Sequence, residues 1–108
     1  MKKFNLPDMQ TNSRVFCTYI IEGKSYNFRF TWCDTFFLLD VYIIQNETER
    51  YLYKGLPIVC GVNIVNRIKN PELIEGSLVI KNKFDEDVDP SPENFKSDFE
   101  LIYYGQNN

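Results

Sequence analysis

The chain has 108 residues, a formal net charge of −3, and neither histidine nor alanine. This length predicts one domain, and the lack of alanine, the strongest helix former, argues against a helical bundle. The lack of histidine removes the most frequent general base and zinc ligand, which argues against most hydrolytic triads and His-ligated metal enzymes. The acidic charge balance also argues against a nucleic-acid partner.

We expect no signal peptide at the N-terminus, because Lys2 and Lys3 are followed by no apolar segment. The longest apolar run, residues 36–44, contains Asp40 and falls far short of the roughly 20 residues that a membrane helix needs. We therefore expect no membrane partner. The cysteines are odd in number and form no CxxC motif, which predicts free thiols rather than a zinc or redox site: Cys17, Cys33 and Cys60.

A β-hairpin is predicted over residues 14–32. Residues 14–21 are rich in β-branched and aromatic side chains, and Gly23 can supply the positive φ of a short turn. Residues 25–32 alternate with a period of two, which indicates one buried and one wet face. The buried face would hold an aromatic stripe of Tyr26, Phe28, Phe30 and Trp32. Core packing is favoured over a base-stacking platform, which would need a basic groove.

Residues 35–44 are apolar on both faces, which predicts a central strand that is covered on both sides, or on one side by the core and on the other by a partner protein. Asp40 interrupts one of these faces. A buried carboxylate must find a cation or hydrogen-bond donors, and Arg29 and Arg14 of the hairpin are candidates. An Asp40 that faces water at an edge is the equally weighted alternative.

A polar turn and a short strand at residues 50–54 complete a second hairpin. In residues 55–61, Gly55, Pro57 and Gly61 exclude a regular central strand and indicate an edge or a bend. Residues 62–68 fit either a strand or one helical turn.

Glu75 and Gly76 predict a turn, and strands are predicted at residues 77–81 and 98–104. About seven short strands in this length predict an all-β domain, a small antiparallel barrel or sandwich. We expect one domain over 1–108, with a core of about 11–104, a flexible loop at 83–98 and a frayed tail at 105–108.

The loop at 83–98 is acidic. Its spacing of Asp85, Asp87 and Asp89 matches the first ligands of an EF-hand loop, but Pro90 stands where glycine is needed and Lys96 where glutamate is needed. A solvated acidic loop is therefore favoured, and no metal or other cofactor is predicted. A cysteine nucleophile needs a base that generates the thiolate, and the chain has no histidine to act as that base. We also expect no pair of carboxylates to come together for catalysis.

The chain is instead rich in large hydrophobic residues, some of which would remain on the surface and mark interfaces. Candidates among the aromatic residues are Tyr51, Tyr53, Tyr103 and Tyr104. Charge complementarity with neighbouring subunits could involve Arg67, Lys69 and the acidic loop residues Asp85, Asp87 and Asp89.

Three ordered segments carry a family resemblance: residues 23–32, residues 37–42 and residues 54–64, the last followed by 76–80. Their order resembles that of the small baseplate plug proteins of contractile-tailed phages and related tail-like particles. In that family an Arg-x-Trp hairpin leads to a Leu-Asp-x-Tyr strand and then to a Gly-x-Pro-Leu-Val-x-Gly-Val segment. The matching structural positions are Gly23, Trp32, Asp40, Gly55, Pro57, Gly61 and Gly76.

The chain departs from that pattern at three places. Two residues separate Arg29 from Trp32 where a closer pair is expected, Cys33 and Asp34 stand where asparagine or another polar turn residue is expected, and Ile58 replaces leucine. The resemblance implies a non-enzymatic structural subunit without catalytic residues, present in several copies around the tail axis. Its implied partners are hub, tube and spike proteins, and its implied location is the host cytoplasm during assembly and then the virion baseplate.

Two further classes are alternatives to an assembly subunit. An OB-like or lectin-like module for single-stranded nucleic acid or sugar is the second, and an enzyme of unknown type is the least favoured. Binding of oligonucleotides or glycans would distinguish the second class from an assembly subunit.

Overall fold

A computed structural model describes residues 1–64, 74 and 76–105. Its regular elements are seven strands and one short helix, in the order β1 (Lys2–Asn5), β2 (Arg14–Ile21), β3 (Lys24–Trp32), β4 (Phe37–Gln45), β5 (Thr48–Pro57), β6 (Ser77–Asn82), α1 (Phe95–Asp98) and β7 (Phe99–Tyr104). No helix within these described residues is long and apolar enough to cross a membrane.

The strands form two antiparallel sheets. One has three strands in the order β1-β7-β6, and the other has four in the order β2-β3-β4-β5. The arrangement is a sandwich and not a closed barrel in the described strands, which decides between the two architectures that the strand pattern allowed. The all-β prediction with about seven strands is confirmed.

The core lies between the sheets and is built from the inward-facing side chains of alternating strand positions. Phe28 and Phe30 of β3 and Leu101 of β7 are fully buried in it. The aromatic stripe predicted at residues 26–32 therefore packs in the core, with Trp32 half-buried at its end, 4.7 Å from the Phe37 ring.

The β2–β3 hairpin has the predicted turn. Glu22 and Gly23 both have positive φ, at 51° and 76°, and Ile21 pairs with Lys24 across them. Two consecutive positive φ values are typical of the turn that best matches the twist of a hairpin. The central strand predicted at residues 35–44 is likewise present as β4, between β3 and β5.

Strand β5 is longer than predicted. It continues through Gly55 to Pro57, whereas the sequence indicated a strand that ended at Lys54. This extension is possible because β5 is an edge strand. Two register shifts leave some of its residues unpaired with β4, so the strand continues past them. The sequence indicated an edge or a bend at Gly55 and Pro57, and the structure shows an edge strand.

The N-terminal strand was not predicted. β1 pairs with β7, and Leu6 and Met9 beyond it are each only 2% exposed. The packed core thus includes residues before position 11, where it was expected to begin. Asn63, in the segment of uncertain type, forms an isolated bridge with Val79, while residues 65–68 lie outside the described part of the chain.

The connection from β6 to β7 is more ordered in its second half than a long loop implies. The four-residue helix α1 places the ring of Phe95 in the core, 4.4 Å from the ring of Phe37 and 5.2 Å from that of Phe30. Asn82 orders the start of the connection. Its side-chain oxygen accepts hydrogen bonds from the backbone N–H groups of Phe84 and Glu86. The acidic segment is therefore held at both ends.

Candidate interaction site

The side of the four-stranded sheet that faces away from the core is called the outer face here. The strand registers order its side chains into rows that run across the sheet. One row joins Phe16 of β2, Arg29 of β3 and Asp40 of β4. The neighbouring row contains four polar or aromatic side chains, Thr18, Asn27, Tyr42 and Tyr51.

An ion pair lies at the centre of the outer face. The Nε and Nη2 atoms of Arg29 lie 2.8 and 2.7 Å from Oδ2 of Asp40. The other carboxylate oxygen of Asp40, Oδ1, accepts the backbone N–H of Gly55 at 2.7 Å. Asp40 is only 7% exposed, so its charge needs these three donors. The alternative of a water-facing Asp40 is wrong, and Arg29 rather than Arg14 is its partner.

Aromatic rings flank the guanidinium of Arg29. The Cζ atom of Arg29 lies 5.9 Å from the ring centroid of Phe16 and 5.4 Å from that of Tyr51. These distances are within the range of cation–π attraction. The hydrogen bond to Asp40 raises the pKa of Arg29 above its ordinary value. The guanidinium is therefore a fixed, permanently charged group held between two rings.

Tyr51 joins this centre to strand β5. Its hydroxyl donates a hydrogen bond of 2.9 Å to Oε2 of Glu49, and this bond raises the pKa of Tyr51. Its ring contacts the ring of Tyr42 with centroids 5.4 Å apart, and Nζ of Lys54 lies 5.1 Å from it. Tyr51 thus stands in a partly exposed cluster of aromatic and charged groups.

Large apolar side chains project from the same face without cover. Phe16 and Ile20 are each 55% exposed, and Ile44 is 65% exposed. Single exposed hydrophobic residues are common on soluble proteins. Here, however, they share the face with Arg29 and the partly exposed Tyr51, residue types that are enriched at protein interfaces and their energetic centres. The outer face therefore has the chemistry of a protein-binding surface.

Two of the four candidate interface tyrosines are part of the core. Tyr53 is 2% exposed and Tyr103 is 5% exposed, so neither can line a surface of the folded chain. Burial also raises the pKa of Tyr53 to about 12. Tyr51 and Tyr104 are half-buried and remain accessible, Tyr51 on the outer face and Tyr104 on the three-stranded sheet.

The charged candidates do not form one cluster. Nζ of Lys81 lies 3.1 Å from Asp85, and Oδ1 of Asp89 accepts the backbone N–H of Cys60 at 3.0 Å. Asp87 is exposed between them. In the described ranges, no group of three or more potential ligand residues could hold a metal ion. Arg67 and Lys69 lie outside the described residues.

The remaining motif residues have structural contacts. The N–H of Gly61 donates to the carbonyl oxygen of Ile80 at 2.9 Å and thereby ties the segment after β5 to β6. Pro57 is the last residue of β5, opposite Leu38. Gly76 has φ of 100° and packs against the backbone of Tyr104, an approach that leaves no room for a Cβ atom.

The structure thus adds Phe16, Ile20, Ile44 and Arg29 to the candidate interface. The alternation along β2 could have predicted that Phe16 and Ile20 are exposed, because they lie on the opposite face from Tyr19 and Ile21, which are buried. The base-stacking alternative loses its platform, since the stripe at residues 26–32 faces the core.

A comparison with curated proteins returns no match. A family model described as "Cyanophage baseplate Pam3 plug gp18" matches residues 1–106. Because that match covers nearly the whole chain, the protein belongs to this family of phage baseplate plug proteins.

Proposed function

We propose that the protein is a non-enzymatic subunit of the central region of a phage tail baseplate, where it packs against hub, tube or spike proteins through its outer face. The observation that carries this proposal is the family match over residues 1–106. It makes the protein a baseplate component, and the outer face supplies a surface by which such a component could bind its neighbours.

The chemistry of the outer face supports docking to another protein. Exposed Phe16, Ile20 and Ile44 offer apolar area, and burial of such area gives about 25 cal/mol per Å². The Arg29 guanidinium is already oriented by Asp40, so little side-chain entropy would be lost when a partner covers it. A preorganised arginine between aromatic rings is a typical energetic centre of an interface.

The acidic loop supports a second, electrostatic contribution. Asp87 is exposed, and Asp85 remains largely exposed although it contacts Lys81. Exposed charges at the rim of an interface steer association and fix orientation more than they add affinity. We propose that this loop sets the register of the subunit against a basic patch on a neighbour.

Complementation of particle assembly tests the proposal. A tail-particle gene cluster that lacks this gene would be supplied with wild-type chain, Phe16→Ser or Ile44→Ser, and purified particles would be assayed for the chain. The wild type should be incorporated and the two outer-face variants should be depleted. Phe36→Ser is the matched control, because Phe36 is also exposed, at 43%, but lies in the turn between β3 and β4.

The outcomes separate the two parts of the proposal. If wild-type chain does not enter particles, the baseplate role is wrong. If the wild type and all three variants enter equally, the role stands and the outer face is not the docking surface. Circular dichroism of each variant ensures that a loss of incorporation does not reflect unfolding.

A further inference from the structure

Strand β2 is a free edge of the four-stranded sheet. It pairs with β3 on one side, and no other described strand pairs with it on the opposite side. The Glu22–Gly23 turn makes Ile21 and Lys24 the hydrogen-bonded pair that closes the hairpin. The backbone N–H and C=O groups of the odd-numbered residues of β2 therefore point toward β3. The hydrogen bond from Trp32 N–H to the carbonyl oxygen of Ser13, an odd-numbered residue just before β2, has the same direction.

It follows that the even-numbered residues of β2 direct their backbone N–H and C=O groups away from the sheet. These residues are Arg14, Phe16, Thr18 and Ile20, and all four are exposed. No backbone hydrogen bond outside the β2–β3 ladder involves any of the four among the described residues. An eight-residue strand thus presents a row of unpaired groups, which is a template for a further strand.

The other three sheet edges in the described strands are protected. β1 has only four residues and begins with two lysines, and short charged strands resist edge pairing. β5 contains Pro57 and two register shifts, which interrupt a regular edge. The free side of β6 is contacted by Asn63 through its bridge to Val79. Among these edges, β2 alone is long, regular and free of proline and lysine.

The sequence of β2 is complementary to itself in the antiparallel direction. When two copies of β2 are centred on Thr18, Phe16 of each copy lies opposite Ile20 of the other. The same register brings Arg14 at one end of the strand beside Glu22 of the second copy, just past the other end. Both the apolar pair and the opposite charges occur twice by symmetry, as a two-fold interface requires.

A register one residue earlier, centred on Cys17, has no such match. It would place Arg14 opposite Ile20 and Phe16 opposite Thr18, so that neither the apolar groups nor the charges would be paired. Arg14 and Glu22 make no ion pair with each other or elsewhere in the described part of the chain, so both are available. Cross-strand apolar pairs and opposite charges are the contacts that stabilise neighbouring strands.

We propose that two copies of this chain associate through antiparallel pairing of β2 about Thr18, which forms a continuous eight-stranded sheet. The two outer faces would then join, with Phe16 and Ile20 of both copies at the two-fold axis. The inference rests on the edge and its register and does not depend on the proposed baseplate docking.

Sedimentation equilibrium of the full chain tests this pairing. At concentrations up to about 100 µM, the wild type should show a monomer–dimer equilibrium, because one strand pair buries less area than a stable interface of about 1,200 Å². Thr18→Pro removes an outward N–H while it spares the ladder to β3, and it should leave only the 12.8 kDa monomer. Thr18→Val keeps this N–H and should still dimerise.

A charge swap tests the register even if Thr18→Pro fails to fold. Arg14→Glu and Glu22→Lys should each weaken the dimer about tenfold, because each places like charges together at both ends. The double variant should restore the wild-type dissociation constant. A wild type that is monomeric throughout, a dimer unaffected by Thr18→Pro, or a double variant no tighter than the single ones would overturn the proposal.

Discussion

The carboxylate of Asp40 and the backbone N–H of Gly55 are joined by a hydrogen bond of 2.7 Å. This bond links β4 to β5 where their register shifts, between the pairs formed by Leu39 and by Val41. Since the other oxygen of Asp40 holds Arg29, one side chain fixes both the irregular edge strand and the charged centre of the outer face.

Removal of the Asp40 carboxylate should therefore destabilise the fold. Asp40→Ala leaves a partly buried guanidinium and a backbone N–H without their acceptor, and we expect a loss of about 2–4 kcal/mol in the free energy of unfolding. Urea unfolding followed by circular dichroism measures this loss. Asp40→Asn keeps an acceptor for Gly55 and should lose less. Equal stability of Asp40→Ala and the wild type would show that the bond network is dispensable.

Gly76 should be intolerant of even one added carbon. A Cβ atom there would overlap the carbonyl oxygen of Tyr104, and φ is 100°, so Gly76→Ala should cost about 2–4 kcal/mol of unfolding free energy. Gly61→Ala is the control: its φ is also positive but nothing lies within 4 Å of the added carbon. It should cost only about 1 kcal/mol. Similar losses for both variants in urea unfolding would reject the overlap with Tyr104 as the cause.

Stability should fall at alkaline pH because of Tyr53. Burial raises the pKa of Tyr53 from 10.0 to about 12, so the unfolded chain loses this proton first. The contribution is complete below pH 10 and is lost as the pH rises through about 12. Tyr53→Phe should reduce this alkaline loss of unfolding free energy, measured in urea at pH values across that range. An unchanged slope would assign the alkaline loss to other groups.

The acidic loop should matter for assembly more than for stability. Asp85→Lys combined with Asp87→Lys reverses two exposed charges, and we expect fewer particles with little change in unfolding free energy. Asp89 is left intact, because it accepts the N–H of Cys60. Particle yield by electron microscopy measures the effect, and an unchanged yield would reject a docking role for this loop.

Much of the fold could be predicted from local patterns. The alternation at residues 26–32 has the period of a half-buried strand, and the apolar run that became β4 has the short length and the β-branched content of a central one. β1 could not be predicted in this way. It has four residues, of which only Phe4 is a large apolar one, and it is stabilised by β7 at the other end of the chain.

The candidate interface was harder to predict because it depends on register. Tyr51 and Tyr53 share a parity, so a regular strand would place both on one face. The register shift between their partners Tyr42 and Val41 turns Tyr51 outward and Tyr53 into the core. By contrast, Tyr103 lies on the same face of β7 as Phe99 and Leu101, which are buried, so the alternation in the sequence could have predicted its burial.

Photo-crosslinking in assembled particles tests the central claim most directly. A photoreactive amino acid would replace Phe16 or Ile44 on the outer face, and Lys3, which is on the three-stranded sheet, would serve as the control position. We predict crosslinks from positions 16 and 44 to a hub, tube or spike protein, identified by mass spectrometry, and few from position 3. Crosslinks to such proteins from position 3 alone would contradict docking through the outer face.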